Sequence, residues 1–402
     1  MSENKKIIYL DYAATTPIAP EVLKEMLPYL KKEYGNPSSI YGLGQKAQMA
    51  CDKARQRVAD FLNCSSSEIV FTGSATEANN LAILGMIKNQ RPKTKNQKLH
   101  IITTQIEHHA VLEPYKELEK QGAEVTYLPV DKQGLVRVSD VEKAIKVNTV
   151  LVSIMYANNE IGTIQPIAEI AKLIKKINSF NLGRPTSQKI YFHTDTVQAA
   201  NYLDCDVKKL GVDLLTLSGH KIYGPKGVGA LYIKEGTPIA PIIYGGGQEE
   251  GIRSGTENVA GIVGLGAASV EVKLQQTKNR GLEKLRDKLI DGILKSIPDS
   301  KLNGSRESRL PNNVNFTIRG AEGESMVIAL DQEGITASTG SACSSRSLEP
   351  SHVLLALGLN HEQAHSSLRL TLGRYTTEKE VDKVLEVLPK IVNRLRQISG
   401  LR

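Results

Sequence analysis

Ile69-Val70-Phe71-Thr72-Gly73-Ser74-Ala75-Thr76-Glu77 runs from four strand-forming residues into a turn of small ones. Glu77 then opens a helical spacing through Ala82, Ile83 and Met86. Ahead of this stretch, apolar residues at Ala47, Ala50, Ala54, Val58, Phe61 and Leu62 recur at helical spacing. Beyond it come a strand-like run at 99–104, a helical pattern from about His109, and further strand-like runs at 125–128, 150–155, 190–192, 214–217 and 228–233. Such alternation from about residue 44 to 233 predicts an α/β fold, a mostly parallel sheet with helices on both faces. After about residue 262 the pattern changes. One long charged amphipathic helix is expected over roughly 263–297, then a polar loop, a strand at Val314-Asn315-Phe316-Thr317-Ile318, a helix near 323–332 and C-terminal helices. The expectation is a large domain over 18–262 and a smaller α+β domain formed by 1–17 and 263–402.

Composition narrows the function classes. At 402 residues, 40% hydrophobic and 23% charged, the chain can bury a substantial core, and disorder is not expected. The formal charge of +8 is spread along the chain and is not interleaved with aromatic residues, so it reads as a solvated basic surface and no nucleic-acid partner is expected. No apolar signal core follows Met1, and no stretch has the uninterrupted apolar length of a membrane span, so a cytoplasmic protein is expected. Cys51, Cys64, Cys205 and Cys343 are far apart and form no C-x-x-C pair. Neither a disulfide framework nor a metal site is expected.

Candidate chemistry collects at strand ends. Gly73-Ser74-Ala75-Thr76 leads into a helix start, where free N–H groups suit an anion, although small residues there often serve only the turn. It matches neither a P-loop nor the G-x-G-x-x-G fingerprint. Lys221 closes Ser218-Gly219-His220-Lys221 directly after the 214–217 run, and Gly224-Pro225-Lys226-Gly227 restricts the loop behind it. A lysine at a sheet end can act as an amine nucleophile toward an aldehyde. Asp195 ends the Tyr191-Phe192-His193-Thr194-Asp195 run, and a carboxylate there can keep a pyridinium nitrogen protonated. Cys343 sits among small polar residues from Ser338 to Ser347, company that suits an exposed thiol, whereas Cys51, Cys64 and Cys205 read as packing residues.

Six blocks taken together resemble the cysteine desulfurase family: 10–17 (Leu-Asp-Tyr-Ala-Ala-Thr-Thr-Pro), Gly35-Asn36-Pro37-Ser38, Ala75-Thr76-Glu77-Ala78-Asn79-Asn80, Asn158-Asn159-Glu160-Ile161-Gly162, 218–227 around Lys221, and Gly340-Ser341-Ala342-Cys343. Their order and spacing match as well, over nearly the whole chain. The resemblance implies a fold-type I transferase dependent on pyridoxal 5'-phosphate, with Lys221 holding the cofactor and Asp195 facing its ring nitrogen. It also implies that His108 stacks on the ring, with His109 a bystander at a position often occupied by lysine. Ala75, Thr76, Ser218 and His220 match the cofactor's phosphate region, and Gln198 and Asn159 the neighbourhood of its ring hydroxyl. Thr256 matches a phosphate contact made to a second subunit, which implies a homodimer. Arg369, with Asn159, matches the grip on the substrate carboxylate.

The activity implied is conversion of L-cysteine to L-alanine, with Lys221 shuttling a proton and the Cys343 thiolate taking the sulfur as a persulfide for an acceptor. The loop after Cys343 is similar to the longer-loop class that supplies iron–sulfur scaffold proteins, while the ending Ile398-Ser399-Gly400-Leu401-Arg402 lacks the tail by which housekeeping members dock them. Selenocysteine lyase and aminotransferase activities are the rival enzyme readings, and a non-catalytic sulfur-trafficking scaffold is the rival from another class. Cys343 speaks against a plain aminotransferase; Lys221, Asp195 and Arg369 speak against a scaffold.

Overall fold

The computed structural model describes residues 7–90, 98–180, 189–275, 279–340 and 349–400. Among them, seven strands form the main sheet in the order Ile69–Thr72, Gly229–Ile233, Leu214–Ser218, Tyr191–Asp195, Thr149–Ser153, His100–Thr104, Glu124–Leu128. Only Gly229–Ile233 runs against its neighbours, and the four pairings from Leu214–Ser218 to Glu124–Leu128 are parallel. The expected α/β architecture is present. Successive residues of each strand face opposite sides. Ile102, Val152, Leu215 and Phe71 accordingly join one apolar cluster, while Ile101, Leu151, Leu214 and Val70 join another on the far face.

A third cluster forms around the antiparallel sheet of Ser367–Thr371, Asn313–Ile318 and Ser300–Leu302, covered by the helices Asn279–Ser296, Gly323–Gln332 and Glu378–Ile398. Leu10 belongs to this cluster, because Ile8–Tyr9 pairs in parallel with Ile335–Thr336. The N-terminal segment thus packs with the C-terminal elements. Among the described residues, no helix is long and apolar enough to cross a membrane.

The expected single amphipathic helix over 263–297 is replaced by two helices of different character, Val259–Gln275 and Asn279–Ser296. The first is buried along most of its length and packs against Gly42–Leu62 and Pro20–Lys31, inside the main-sheet core. Small residues make this possible: a Cβ on Gly266 would lie 2.7 Å from Ala54 Cα, and one on Gly264 would lie 2.7 Å from Met26 Sδ. The backbones can approach only because those atoms are absent. Charge from Glu271 onward made the two helices look like one.

Gly266→Val is expected to destabilise the fold by roughly 1–3 kcal/mol through overpacking against the Gly42–Leu62 helix. A denaturant titration with an unshifted midpoint would contradict this packing.

Candidate active site

A cavity of about 200 Å³ opens at the C-terminal ends of the parallel strands, where open α/β sheets bind ligands. It gathers Lys221, His108, Asp195, Gln198, Asn159, Ala75, Thr76, Ser218, His220 and Arg369, from segments spread over most of the chain. Thr256 is exposed and does not line this cavity. Cys343 lies outside the described residues.

Lys221 ends the short turn Gly219–Lys221 that follows strand Leu214–Ser218. Its Nζ donates to the carbonyls of Ala13 (2.5 Å) and Ala14 (2.8 Å). The amine is therefore held by two oxygens of the N-terminal segment. Two residues on, Tyr223 adopts φ 63°, a conformation costly for a bulky side chain. Contacts on every side impose it: Tyr223 N donates to Thr16 Oγ1, its hydroxyl accepts from Arg374 N, and the Arg374 guanidinium stacks 4.3 Å from its ring centre. The turn that aims Lys221 is thereby fixed from behind.

Asp195 is buried at the end of its strand. Val197 N donates to Oδ1 at 2.9 Å and Asn79 Nδ2 to Oδ2 at 2.7 Å. Burial pushes its carboxyl up from the ordinary range, against the pull of these two donors and of the Lys221 ammonium. Asn79 comes from the helix Ala75–Asn80, capped by Ser74, whose Oγ accepts from Glu77 N. That helix start comes unusually close to the sheet. A Cβ on Gly229 would lie 2.7 Å from Ser74 C and 2.9 Å from Ala75 N. The N–H groups of Ala75 and Thr76 belong to a first turn that has no preceding carbonyls to bond, so this end of the cavity suits an anion.

His108 caps the helix His109–Lys120, its Nδ1 accepting from Ala110 N at 3.1 Å. A neutral His108 therefore keeps its proton on Nε2. Burial, with the Lys221 ammonium and the imidazoles of His109 and His352, pulls its pKa down to about 4. His220 is also pulled down to about 4, by burial and then by Lys221 and Lys226. Both rings are neutral at pH 7 and can accept or donate without carrying charge.

Arg369, 1% exposed, lies on strand Ser367–Thr371. Nη2 pairs with Asp11 at 2.8 Å and Nη1 donates to Asn159 O at 3.0 Å. Nε is buried and has no partner among the described residues. Arg369 itself lines the cavity. Gln198 Nε2 donates to Ala13 O, so the same carbonyl receives Gln198 and Lys221.

Several contributors were not singled out from the sequence. Asp11, Ala13, Ala14 and Asn79 all fall inside blocks quoted above, yet only tertiary contact reveals their partners. Glu107 carried no signal at all. It is fully buried, with Oε1 accepting from Thr104 Oγ1 and Met155 N and Oε2 unpartnered among the described residues. Burial pushes its pKa up to about 8, opposed by Met155 N–H and Thr104 and reinforced by Asp195.

An acid at one end, an anion-binding helix start at the other and an amine between them suit an anionic aromatic ring bearing an aldehyde. The guanidinium adds a place for a carboxylate. The aminotransferase class-V family model matches residues 8–384. A Clostridium botulinum (strain Hall) protein named Cysteine desulfurase IscS is 53% identical over 400 residues, covering 98% of this chain and 97% of that protein. Among solved structures, a "NifS-like protein" superposes with TM-score 0.87 at 38% identity, covering 96% of this chain and all of the other. A structure titled "SspA in complex with cysteine" superposes with TM-score 0.77 at 38% identity over 92% of this chain and all of the other.

Glu107 gives a pH test. Its folded pKa of about 8 lies above its ordinary 4.5, so the folded state holds an extra proton between those values and stability falls as pH rises through that window. Glu107→Gln cannot ionise, and its Tm relative to the unsubstituted protein is expected to rise from about pH 5 to about pH 8. A Tm difference independent of pH would show that Glu107 is not held protonated.

Proposed function

The chain belongs to the cysteine desulfurases of the aminotransferase class-V family, and from that premise we propose that its cavity binds pyridoxal phosphate and L-cysteine and passes the substrate's sulfur to Cys343. The observation that carries this reading is the convergence of Lys221, Asp195, His108 and Arg369 on one cavity. The residues present fit the cofactor. Asp195 would hold the ring nitrogen's proton, and Ser218, His220 and the helix start at Ala75 and Thr76 would take the phosphate. Lys221 would hold the aldehyde carbon, while His108, Gln198 and Asn159 would flank the ring. When bound, pyridoxal phosphate supplies a carbonyl for the substrate amine and a ring that withdraws electrons from the substrate Cα.

The remaining steps belong to the chain's own groups. Nε of Arg369 is the donor a substrate carboxylate would meet. Lys221 Nζ would move the proton at substrate Cα. His108, neutral at working pH, can exchange a proton through Nε2. In the net reaction the substrate Cβ–Sγ bond breaks and its electron pair stays on Cβ, which gains a proton and becomes the methyl of alanine. The substrate sulfur bonds to the Cys343 sulfur. Carbon is reduced as sulfur is oxidised, so no outside oxidant is required. The persulfide's outer sulfur then passes to an acceptor thiol, or leaves as sulfide when a thiol reductant supplies the electrons.

We propose an iron–sulfur scaffold or other sulfur-acceptor protein as partner, supported by the 53% identity to a protein named Cysteine desulfurase IscS. We also propose a homodimer in the cytoplasm. The support for a dimer is that Thr256 is exposed outside this chain's own cavity, and that Tyr34, Ile40, Met49 and Tyr244 expose large apolar surface, at 68% or more each.

With pyridoxal phosphate and a thiol reductant, the protein is expected to release sulfide and alanine in equal amounts from L-cysteine. Cys343→Ala should keep the cofactor's absorbance and lose both products. Sulfide release by the variant at the unsubstituted rate would remove Cys343 from the reaction. Absence of sulfide from the unsubstituted protein with cofactor bound would remove cysteine as its substrate.

A further inference from the structure

We infer that Glu160 is a positioning residue for the sulfur-accepting thiol, fastening the chain after the Cys343 segment, and packing against the chain before it, at the loop that lines the cofactor cavity. The inference rests on the reading of Cys343 given above. Glu160 is 2% exposed. A buried carboxylate is costly unless paired or hydrogen-bonded. Its partner is Ser351 Oγ, which donates to Oε2 at 2.6 Å. Gly340 lies against the same oxygen: a Cβ there would stand 2.9 Å from Glu160 Oε2, closer than side chains pack. One carboxylate oxygen therefore bonds the chain after residues 341–348 and leaves no room for a side chain at Gly340 before them.

The frame around Glu160 is rigid. Asn158 Oδ1 accepts from Glu160 N and Ile161 N, at 2.9 and 3.0 Å. Glu160 O accepts from Asn313 Nδ2 and Asn315 Nδ2, at 3.0 and 3.1 Å, on the strand beside Arg369. The preceding residue, Asn159, lines the cavity and gives its carbonyl to Arg369. On the entry side, Ser338 and Arg369 exchange backbone hydrogen bonds. On the exit side, His352, next to Ser351, donates from Nε2 to the carbonyl of Glu107, the residue before His108. Both flanks are thus tied to elements that line the cavity. Holding the flanks keeps the thiol concentrated near the substrate, as a short tether does.

Ser351 also caps the helix His352–Ala356, accepting from Leu354 N, so the test must separate cap from tie. Ser351→Asp keeps a capping acceptor but sets a carboxylate against Glu160, and Ser351→Thr keeps both functions. The readouts are cysteine affinity, from the cofactor's absorbance change, and the single-turnover rate of persulfide formation on Cys343, from mass spectrometry of quenched samples. Ser351→Asp is expected to slow persulfide formation about tenfold with affinity within about twofold, one lost charge-assisted hydrogen bond. Ser351→Thr should stay near the unsubstituted rate. Adding Glu160→Gln to Ser351→Asp should recover most of the loss, because the amide can donate to the new carboxylate. Persulfide formation at full rate in Ser351→Asp, an equal fall in affinity and rate, or no recovery in the double variant would each overturn the inference. If Ser351→Asp fails to fold, Glu160→Gln against Ser351→Thr decides: both at full rate overturn it. Failure of the underlying reading looks different, since persulfide would then be absent from Cys343 in the unsubstituted protein.

Discussion

A guanidinium at 1% exposure must find its partners inside the protein, and the way Arg369 finds them organises the rest of the molecule. Asp11 comes from the N-terminal segment, Asn159 from a loop at the end of the main sheet, and the backbone exchange with Ser338 from the approach to the Cys343 segment. Removing Asp11 would leave the buried guanidinium without its carboxylate. The arrangement therefore forces the two ends of the sequence and the strand ends to meet at one place. The same N-terminal turn, one step on, offers Ala13 and Ala14 carbonyls to Lys221 and the Thr16 hydroxyl to the backbone of Tyr223.

Burial then sets the proton positions that the chemistry needs. His108 and His220 are kept neutral by loss of solvent and by the nearby ammonium of Lys221. Asp195 is pushed up by burial, yet two donors and the same ammonium favour its carboxylate form. Glu107 has fewer compensations and is held as an acid behind the cavity. Burial raises both carboxyls, and Asp195 alone also has the Lys221 ammonium among the groups that pull it back.

The sheet was legible because fully buried strands read as short apolar runs between turns, and Lys221 and Asp195 were legible because each sits where such a run stops. Family resemblance added His108, Arg369 and the phosphate-region residues, which have no local signature of their own. Helix Val259–Gln275 was misread because glycine and alanine carry little hydrophobic signal, although here they permit close packing of helix on helix. Asn79, Asp11 and Glu107 escaped notice for a related reason. Polar residues gain their roles from partners 116, 358 and 48 positions away, and no local pattern encodes such a distance.

The most direct test of this account is a single turnover with L-cysteine carrying isotopically labelled sulfur, followed by mass analysis of the peptide that contains Cys343. The account predicts one labelled sulfur on that peptide, on Cys343 alone, with one alanine formed for each. Labelled sulfide without label on Cys343, or label on Cys51, Cys64 or Cys205, would contradict it.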